Sequence, residues 1–348
     1  MSAPAMPSPS QPPSSQPPPA QPPPPTPPAR TQTTRARALL AIAATYGGLC
    51  LVLVGLVLAF GLASSRFLSA STFVTLANQT PDAVIIAVGM TLVLIAGEID
   101  LSVGSVLALS GAVLGVCLVQ LHLPLAVSVA ACLLVGLASG LVTGLVVVRF
   151  KVPSFIVTLG MLEAARGIAY LVTRSQTQYI GAPVEAVAEA KLFGLSLPFM
   201  LAILVVATGQ ILLARTVFGR YLVAVGTNEE ATRLSGIDTA KVKLVVFMLS
   251  GLLAAAASVI HCARLASADP NAGTGYELSA IAAVVIGGTS LMGGRGSVIS
   301  SFFGVAIISV LGAGLAQIGA EEPQKRLVTG CVIVAAVILD QIRARRAR

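Results

Sequence analysis

The chain alternates between long apolar runs and short polar connections. Ten runs of roughly 17–25 residues carry few charges, and a helix of that length can cross the ~30 Å hydrocarbon core of a membrane. The pattern predicts an all-α integral membrane protein with about ten transmembrane helices. The runs cover residues 38–63, 81–97, 102–121, 124–148, 153–173, 197–214, 243–263, 276–291, 298–318 and 327–342.

The composition agrees with this pattern. Of the 348 residues, 55% are hydrophobic and 10% are charged, whereas soluble domains average about 25% charged residues. The two histidines and five cysteines show no CxxC or HxxxH spacing. We therefore expect no metal site and no cofactor bound by this chain.

The net charge of +8 comes from basic residues that lie mostly between the runs. With both termini placed in the cytoplasm, the inside segments hold 15 Lys and Arg residues and the outside segments hold six. Basic residues concentrate on the cytoplasmic side of membrane proteins. This distribution favours a role in topology over nucleic acid binding, and it predicts ten helices with both termini cytoplasmic.

Residues 1–34 precede the first run and have a different character. Fourteen of the 21 prolines fall within residues 1–29, mixed with Ser, Gln and Ala. Such a segment cannot bury a core. We predict a disordered, Pro-rich cytoplasmic tail, with binding of an SH3-like module as the alternative. Residues 35–348 then form one transmembrane domain.

None of the five lysines follows a glycine. A Walker A loop requires a Gly-Lys pair, whose lysine reaches the terminal phosphates of the nucleotide. The chain therefore cannot bind ATP in that way. Any coupling to ATP must come from a partner protein.

The connection at residues 215–242 is the longest one predicted on the cytoplasmic side. Thr227 and Glu230 have capping-box spacing, Glu229 suits a helix N-terminus, and Gly236 can end the helix. These residues predict a short helix that docks a partner and transmits motion, with a plain loop as the alternative. The residues assigned to this coupling are Gly219, Arg220, Asn228, Glu229, Glu230, Arg233, Leu234 and Gly236.

Two apolar segments are interrupted. Residues 94–105 carry Glu98 and Asp100, and residues 286–297 contain five glycines and Arg295. Such breaks form irregular or re-entrant backbone that lines a cavity in membrane proteins. For Asp100 and Ser102, capping of a helix is the alternative.

Charged and aromatic residues also occur within or beside the runs. Glu163 and Arg166 share a helix face and are expected to pair, with a proton relay as the alternative. Tyr276 and Glu277 follow a turn-rich outer segment, which is either a plain turn or a receiving surface for a delivery protein. The residues assigned to a translocation pathway are Glu98, Asp100, Ser102, Glu163, Arg166, Tyr276, Glu277, Thr289 and Ser290.

An ordered set of motifs runs along the chain from about residue 71 to Asp340. The motifs are Gly-Met-Thr-Leu-Val at 89–93, the segments 99–105 and 152–160, Arg166-Gly167, Gly219-Arg220, Asn228-Glu229, and the segments 231–237, 272–278 and 282–291. In this order the set resembles the permease subunits of ribose/xylose-type ABC sugar importers and is specific for that family.

The resemblance implies a permease dimer in the bacterial inner membrane. It further implies a cytoplasmic ATP-binding subunit that holds ATP and Mg, and a periplasmic sugar-binding protein. It assigns residues 219–237 to ATPase coupling, and it implies passage of a monosaccharide between two permease copies by alternating access.

This chain departs from the family pattern at Glu98, Glu163 and Thr227. Family members usually carry Gly at the first position, an uncharged residue at the second, and Gly or Ser at the third. The residues alone also leave open a self-sufficient secondary transporter or channel, and a structural membrane scaffold.

Overall fold

The structure is a computed structural model that describes residues 35–192 and 195–346. The predicted tail, residues 1–34, lies outside the described residues. Two structural units divide within the first helix, between Ile42 and Ala43, and the packing below belongs to the second unit.

Helices account for most of the described chain, as the apolar runs predict. They are α1 (Arg35–Ala63), α2 (Ala70–Gln79), α3 (Pro81–Ile95), α4 (Val103–Val119), α5 (Leu125–Phe150), α6 (Ser154–Thr173), α7 (Ala182–Glu189), α8 (Leu197–Arg215), α9 (Val217–Thr227), α10 (Glu229–Leu234), α11 (Thr239–Leu265), α12 (Tyr276–Ile286), α13 (Val298–Gln317) and α14 (Glu322–Arg346). Four strands of two residues each are β1 (Gln178–Tyr179), β2 (Lys191–Leu192), β3 (Leu195–Ser196) and β4 (Ser267–Ala268).

Each of the ten predicted runs contains one helix, but the helices differ in length. Six of those described are long and apolar enough to cross a membrane, in α1, α5, α6, α8, α11 and α13. The pair α2 and α3 passes the same test with a 50° bend. In contrast, α12 has only 11 residues, about 16 Å of helix at 1.5 Å per residue.

The central packing joins α11 to α5, α3 and α4. Nearly every residue of α3 is buried. On α5, Gly136, Gly140 and Gly144 recur every four residues and face α11. A Cβ atom at Gly136 or Gly140 would overlap backbone of α11, and one at Gly251 would overlap α5. Small residues at this spacing allow close helix contact in membranes, which explains the tight α5–α11 pair.

Two of the predicted outer segments, 174–196 and 264–275, are joined by backbone hydrogen bonds. Strand β1 pairs antiparallel with β4, with Gln178 opposite Ala268 and Tyr179 opposite Ser267. The first strand follows α6 and the second follows α11. The ends of these two helices therefore lie on the same face of the protein.

Candidate functional site

The two interrupted segments meet at the C-terminal end of α9. The Gly294 amide donates to the Ile95 carbonyl at 2.9 Å, and a Cβ atom on Gly226 would overlap that same carbonyl. A Cβ on Gly293 would lie 2.6 Å from the Gly226 oxygen and 2.9 Å from the Cα atom of Gly97. Backbones can approach this closely only where side chains are absent. We call the contact of residues 95–97, 226–227 and 293–294 the glycine junction.

An ion triad lies beside the glycine junction. The Lys243 ammonium is 2.6 Å from Glu98 Oε1 and 2.6 Å from Glu229 Oε2. The Lys243 and Glu98 side chains are only 15% and 10% exposed, whereas that of Glu229 is half-exposed. The triad therefore ties the first break, the start of α11 and helix α10 together. Neither the pairing nor the role of Lys243 was predicted from the sequence.

The predicted coupling helix is present as α10, but its predicted cap is wrong. Asn228, not Thr227, is the N-cap, and its side-chain oxygen accepts from the Ala231 amide at 2.9 Å. Thr227 ends the preceding helix α9, and its hydroxyl donates to the Val223 carbonyl. The Gly236 prediction is confirmed, because its φ of +84° lies in the left-handed region just after the helix.

Helix α10 presents an exposed surface. Leu234 is 77% exposed, and Arg233 binds Glu230 through two hydrogen bonds of 3.2 and 2.6 Å. These bonds and the charge of Arg233 hold the pKa of Glu230 below its usual range. In α9, Arg220 is exposed and Gly219 is buried. A Cβ atom at Gly219 would overlap the Leu213 carbonyl oxygen, so only glycine fits there. An exposed apolar residue among fixed charges suits a docking surface.

Asp100 and Ser102 organise the first break. Asp100 Oδ1 accepts from the Ser102 amide at 2.9 Å and from its hydroxyl at 2.6 Å, and Asp100 Oδ2 accepts from Ser250 of α11 at 2.7 Å. Ser102 is the N-cap residue of α4, but its side chain makes no capping hydrogen bond, so these contacts fix the turn before α4 and do not cap the helix. In the second break, Thr289 and Ser290 are also buried. Among the described residues the Thr289 hydroxyl has no hydrogen-bond partner.

The predicted pairing of Glu163 with Arg166 is wrong. Arg166 donates instead to the backbone carbonyls of Pro270 and Ala272, whereas Glu163 is exposed. The turn after β4 leaves carbonyls without secondary-structure partners, and the Nη1 atom of Arg166, which carries two N–H donors, reaches two of them. Arg166 therefore fixes the outer turn to α6.

A buried polar cluster, missed at the sequence level, joins α3, α11 and α12. Asp82 is 1% exposed, and its Oδ2 atom lies 2.8 Å from His261 Nδ1, 2.9 Å from Arg264 and 3.3 Å from the Tyr276 hydroxyl. Asp82 follows Pro81 and resembles an ordinary helix N-terminal residue. The sequence signal that could have revealed this cluster has two parts. One is a carboxylate, Asp82, at the start of an apolar run, and the other is the pair His261 and Arg264, three residues apart at the end of another run.

This polar cluster lies at the wall of a cavity of about 850 Å³. The cavity is bounded by residues of α2, α3, α11, α12, α13 and α14. Of the residues assigned to a translocation pathway, Tyr276 lines this cavity, but Glu277 does not, and the Glu277 carboxylate lies beside Gly104 of α4. The other predicted pathway residues also lie outside it. The charged lining residues are Asp82, Arg264, Glu322, Lys325 and Arg326.

Comparison with known proteins places the chain among permeases. The family model described as "branched-chain amino acid transport system / permease component" matches residues 72–337. The ribose import permease protein of Escherichia coli (strain K12) is 42% identical over 288 residues, which cover 80% of this chain and 88% of that protein.

Two further relatives are named as permeases for other sugars. The fructose import permease protein of Rhizobium meliloti is 34% identical, over 84% of each chain. The xylose transport system permease protein of Escherichia coli (strain K12) is 34% identical, over 80% of this chain and 87% of that protein. No solved structure matches the chain. Because the family model spans most of the sequence, the chain belongs to this family of transport-system permease components.

Proposed function

We propose that the chain is the membrane-spanning subunit of an ATP-driven importer that moves a monosaccharide into the cell. The observation that carries this proposal is the position of α10, an exposed helix that Lys243 ties to the first break and that follows the end of α9, where both breaks meet. The ribose, fructose and xylose permeases that the chain resembles support the choice of a sugar as solute.

The proposed topology has ten spans, both termini in the cytoplasm, and a location in the bacterial inner membrane. Two features support it. The β1–β4 pair unites two segments assigned to the outside. The glycine junction unites three segments assigned to the inside, namely both breaks and the connection at residues 215–242. The excess of basic residues on the inside agrees with this arrangement.

The proposed mechanism is alternating access. A cytoplasmic ATP-binding subunit holds ATP and Mg and docks on the exposed side of α10. Its closure moves α10, and the ion triad passes that motion to the first break and to α11. Since the breaks close the inner side at the glycine junction, their separation opens a way to the cytoplasm. ATP biases the equilibrium because it binds the two states of the partner with different affinity.

The remaining proposed partners are a periplasmic sugar-binding protein and a second copy of this chain. The binding protein delivers solute to the outer face, which the Arg166 contacts hold in a defined shape. Two copies of α10 would engage two ATP-binding subunits. A two-fold dimer is the commonest closed arrangement of identical subunits in soluble proteins.

Reconstitution tests this function. The chain, its cognate ATP-binding subunit and binding protein are placed in vesicles, and uptake of radiolabelled ribose, xylose and fructose is followed with and without ATP. We expect ATP-dependent uptake of one sugar, unaffected by an ionophore. Uptake by the chain alone that an ionophore abolishes would instead identify a secondary transporter.

A docking variant isolates the role of α10. Leu234→Asp removes an exposed apolar contact without touching the core, so we expect normal folding and loss of transport-stimulated ATPase activity. Lys241→Gln is the matched control, since its side chain is 82% exposed in the same connection. Unchanged stimulation in Leu234→Asp would contradict docking at α10.

A further inference from the structure

The 850 Å³ cavity has mostly apolar walls that carry a few charged and polar side chains. A ligand site for a small molecule is a cavity of about 300–1,000 Å³ with mostly apolar walls and a few placed polar groups. Apolar residues Ala83, Ile86, Val305 and Ile308 form part of this lining. Arg264 and Tyr276 place polar groups among them.

Arg264 is held firmly but uses only part of its donor capacity. One terminal nitrogen donates to Asp82 at 2.9 Å and lies 3.3 Å from His261 Nδ1. Among the described residues, its buried Nε atom has no hydrogen-bond partner. A guanidinium carries five N–H donors, and the Arg264 side chain is 28% exposed. Because the Nε atom is fully buried, the donors that remain for a ligand oxygen are those of the terminal nitrogens that Asp82 and His261 do not occupy.

Asp82 cannot supply that ligand contact itself. It is 1% exposed, and its Oδ2 atom already faces His261, Arg264 and the Tyr276 hydroxyl, while Oδ1 accepts from the Ala83 amide. Its role is to fix and neutralise Arg264. A charged group that is held in this way keeps its geometry when a ligand binds.

The buried wall of the cavity is electrically balanced, which decides the class of ligand, because Asp82 neutralises Arg264 there. At the other end Glu322 lies 3.7 Å from Lys325 and 3.4 Å from Arg326, so the one excess positive charge of the lining lies at a solvent-exposed end. A ligand with its own charge would have to be desolvated against the balanced buried wall without a free partner there. An uncharged molecule with several hydroxyl groups can accept from Arg264 and place its C–H surface on the apolar wall.

We infer that this cavity binds an uncharged polyhydroxylated solute through Arg264, with Asp82 as the positioning residue. This inference rests on the proposed function and adds to it a defined solute position. The site lies on the outer side of the glycine junction. A solute bound there has therefore not yet passed the junction that closes the cytoplasmic side.

Binding can be measured without any partner, because the chain contains no Trp. Leu278 lines the cavity and is 62% exposed, so Leu278→Trp introduces a single fluorescent reporter. The purified variant in lipid nanodiscs is titrated with ribose, xylose and fructose, with ribonate as an anion and with leucine. We expect a saturable change with at least one sugar, and none with ribonate or leucine.

Variants in the reporter background test the assigned contact. Arg264→Lys keeps the charge but not the fork, and loss of a hydrogen bond to a charged group predicts about tenfold weaker binding or more. Ser279→Phe narrows the cavity without touching Asp82, so it should also weaken binding if Arg264→Lys fails to fold. Arg66→Lys, outside the cavity, should change the affinity less than about twofold.

Three results would overturn the inference. They are absence of a saturable signal with every sugar, affinities that neither Arg264→Lys nor Ser279→Phe changes, and preferential binding of ribonate or leucine. Failure of this inference is distinct from failure of the proposed function. If reconstituted uptake of a sugar is ATP-dependent while Arg264→Lys and Ser279→Phe transport normally, the function stands and the cavity is not the site.

Discussion

The ion triad allows a quantitative test of how α10 is held. Both Glu98 Oε1 and Glu229 Oε2 lie 2.6 Å from the Lys243 ammonium, so the two oxygens are no more than twice that distance apart. Replacing Lys243 with Met leaves two carboxylates at about 5 Å. At an effective dielectric constant of about 20, their repulsion is about 3 kcal/mol.

This repulsion should appear as a loss of thermal stability on the order of 5 °C in Lys243→Met. Unfolding in nanodiscs can be followed with a thiol-reactive fluorophore, because Cys117, Cys132 and Cys262 are free and buried, so they react only when the structure opens. Exposed Cys331 provides a constant baseline.

A second substitution separates electrostatics from packing. Adding Glu98→Gln to Lys243→Met removes one of the two facing charges, and most of the lost stability should return. Arg233→Met is the matched control, because its pair with Glu230 is exposed and such pairs contribute about 0–1 kcal/mol. The electrostatic account would be refuted if Lys243→Met had the same melting temperature as the parent protein. It would also be refuted if the double variant melted at the same temperature as Lys243→Met alone.

Three further predictions concern the glycine junction and α10. Gly226→Ala should abolish uptake, because its Cβ would overlap a backbone carbonyl, while Gly160→Ala, whose Cβ meets nothing within 4 Å, should transport normally. Asn228→Ala should speed amide exchange in α10, since losing an N-cap costs about 1 kcal/mol, whereas Thr227→Ala should not. The pKa of Glu230 is lowered, so the stabilisation from its arginine pair is present above the usual carboxyl pKa and is lost only as pH falls through the lowered value. Docking affinity for the ATP-binding subunit, measured by pull-down, should therefore be constant between about pH 8 and 6, and a decline across that range would contradict the assignment.

Local sequence features predicted the local structure well. Each apolar run contains a helix, because the demand for internal backbone hydrogen bonding in a membrane leaves few alternatives. The turn at Gly236 was also predictable, since only a residue without a Cβ atom adopts its φ easily. The Thr227 cap was wrong because α9 continues through Thr227. Asn228, one residue later, then takes the capping position.

Contacts across long sequence separations were decided by the tertiary structure alone. Asp82 and His261 are 179 positions apart, and the glycine junction joins segments around residues 96, 226 and 293. Arg166 donates to the backbone carbonyls of Pro270 and Ala272 in a distant turn, and not to Glu163, which lies one helical turn away.

The sequence by itself predicted the apolar helices of this membrane protein and an ATP-binding partner on another chain, because hydropathy and motif spacing are local properties. Only the tertiary structure decided which polar groups meet. A buried charge is stabilised by whichever partner the packing of helices brings within hydrogen-bond distance, and that packing depends on shape complementarity along entire helices.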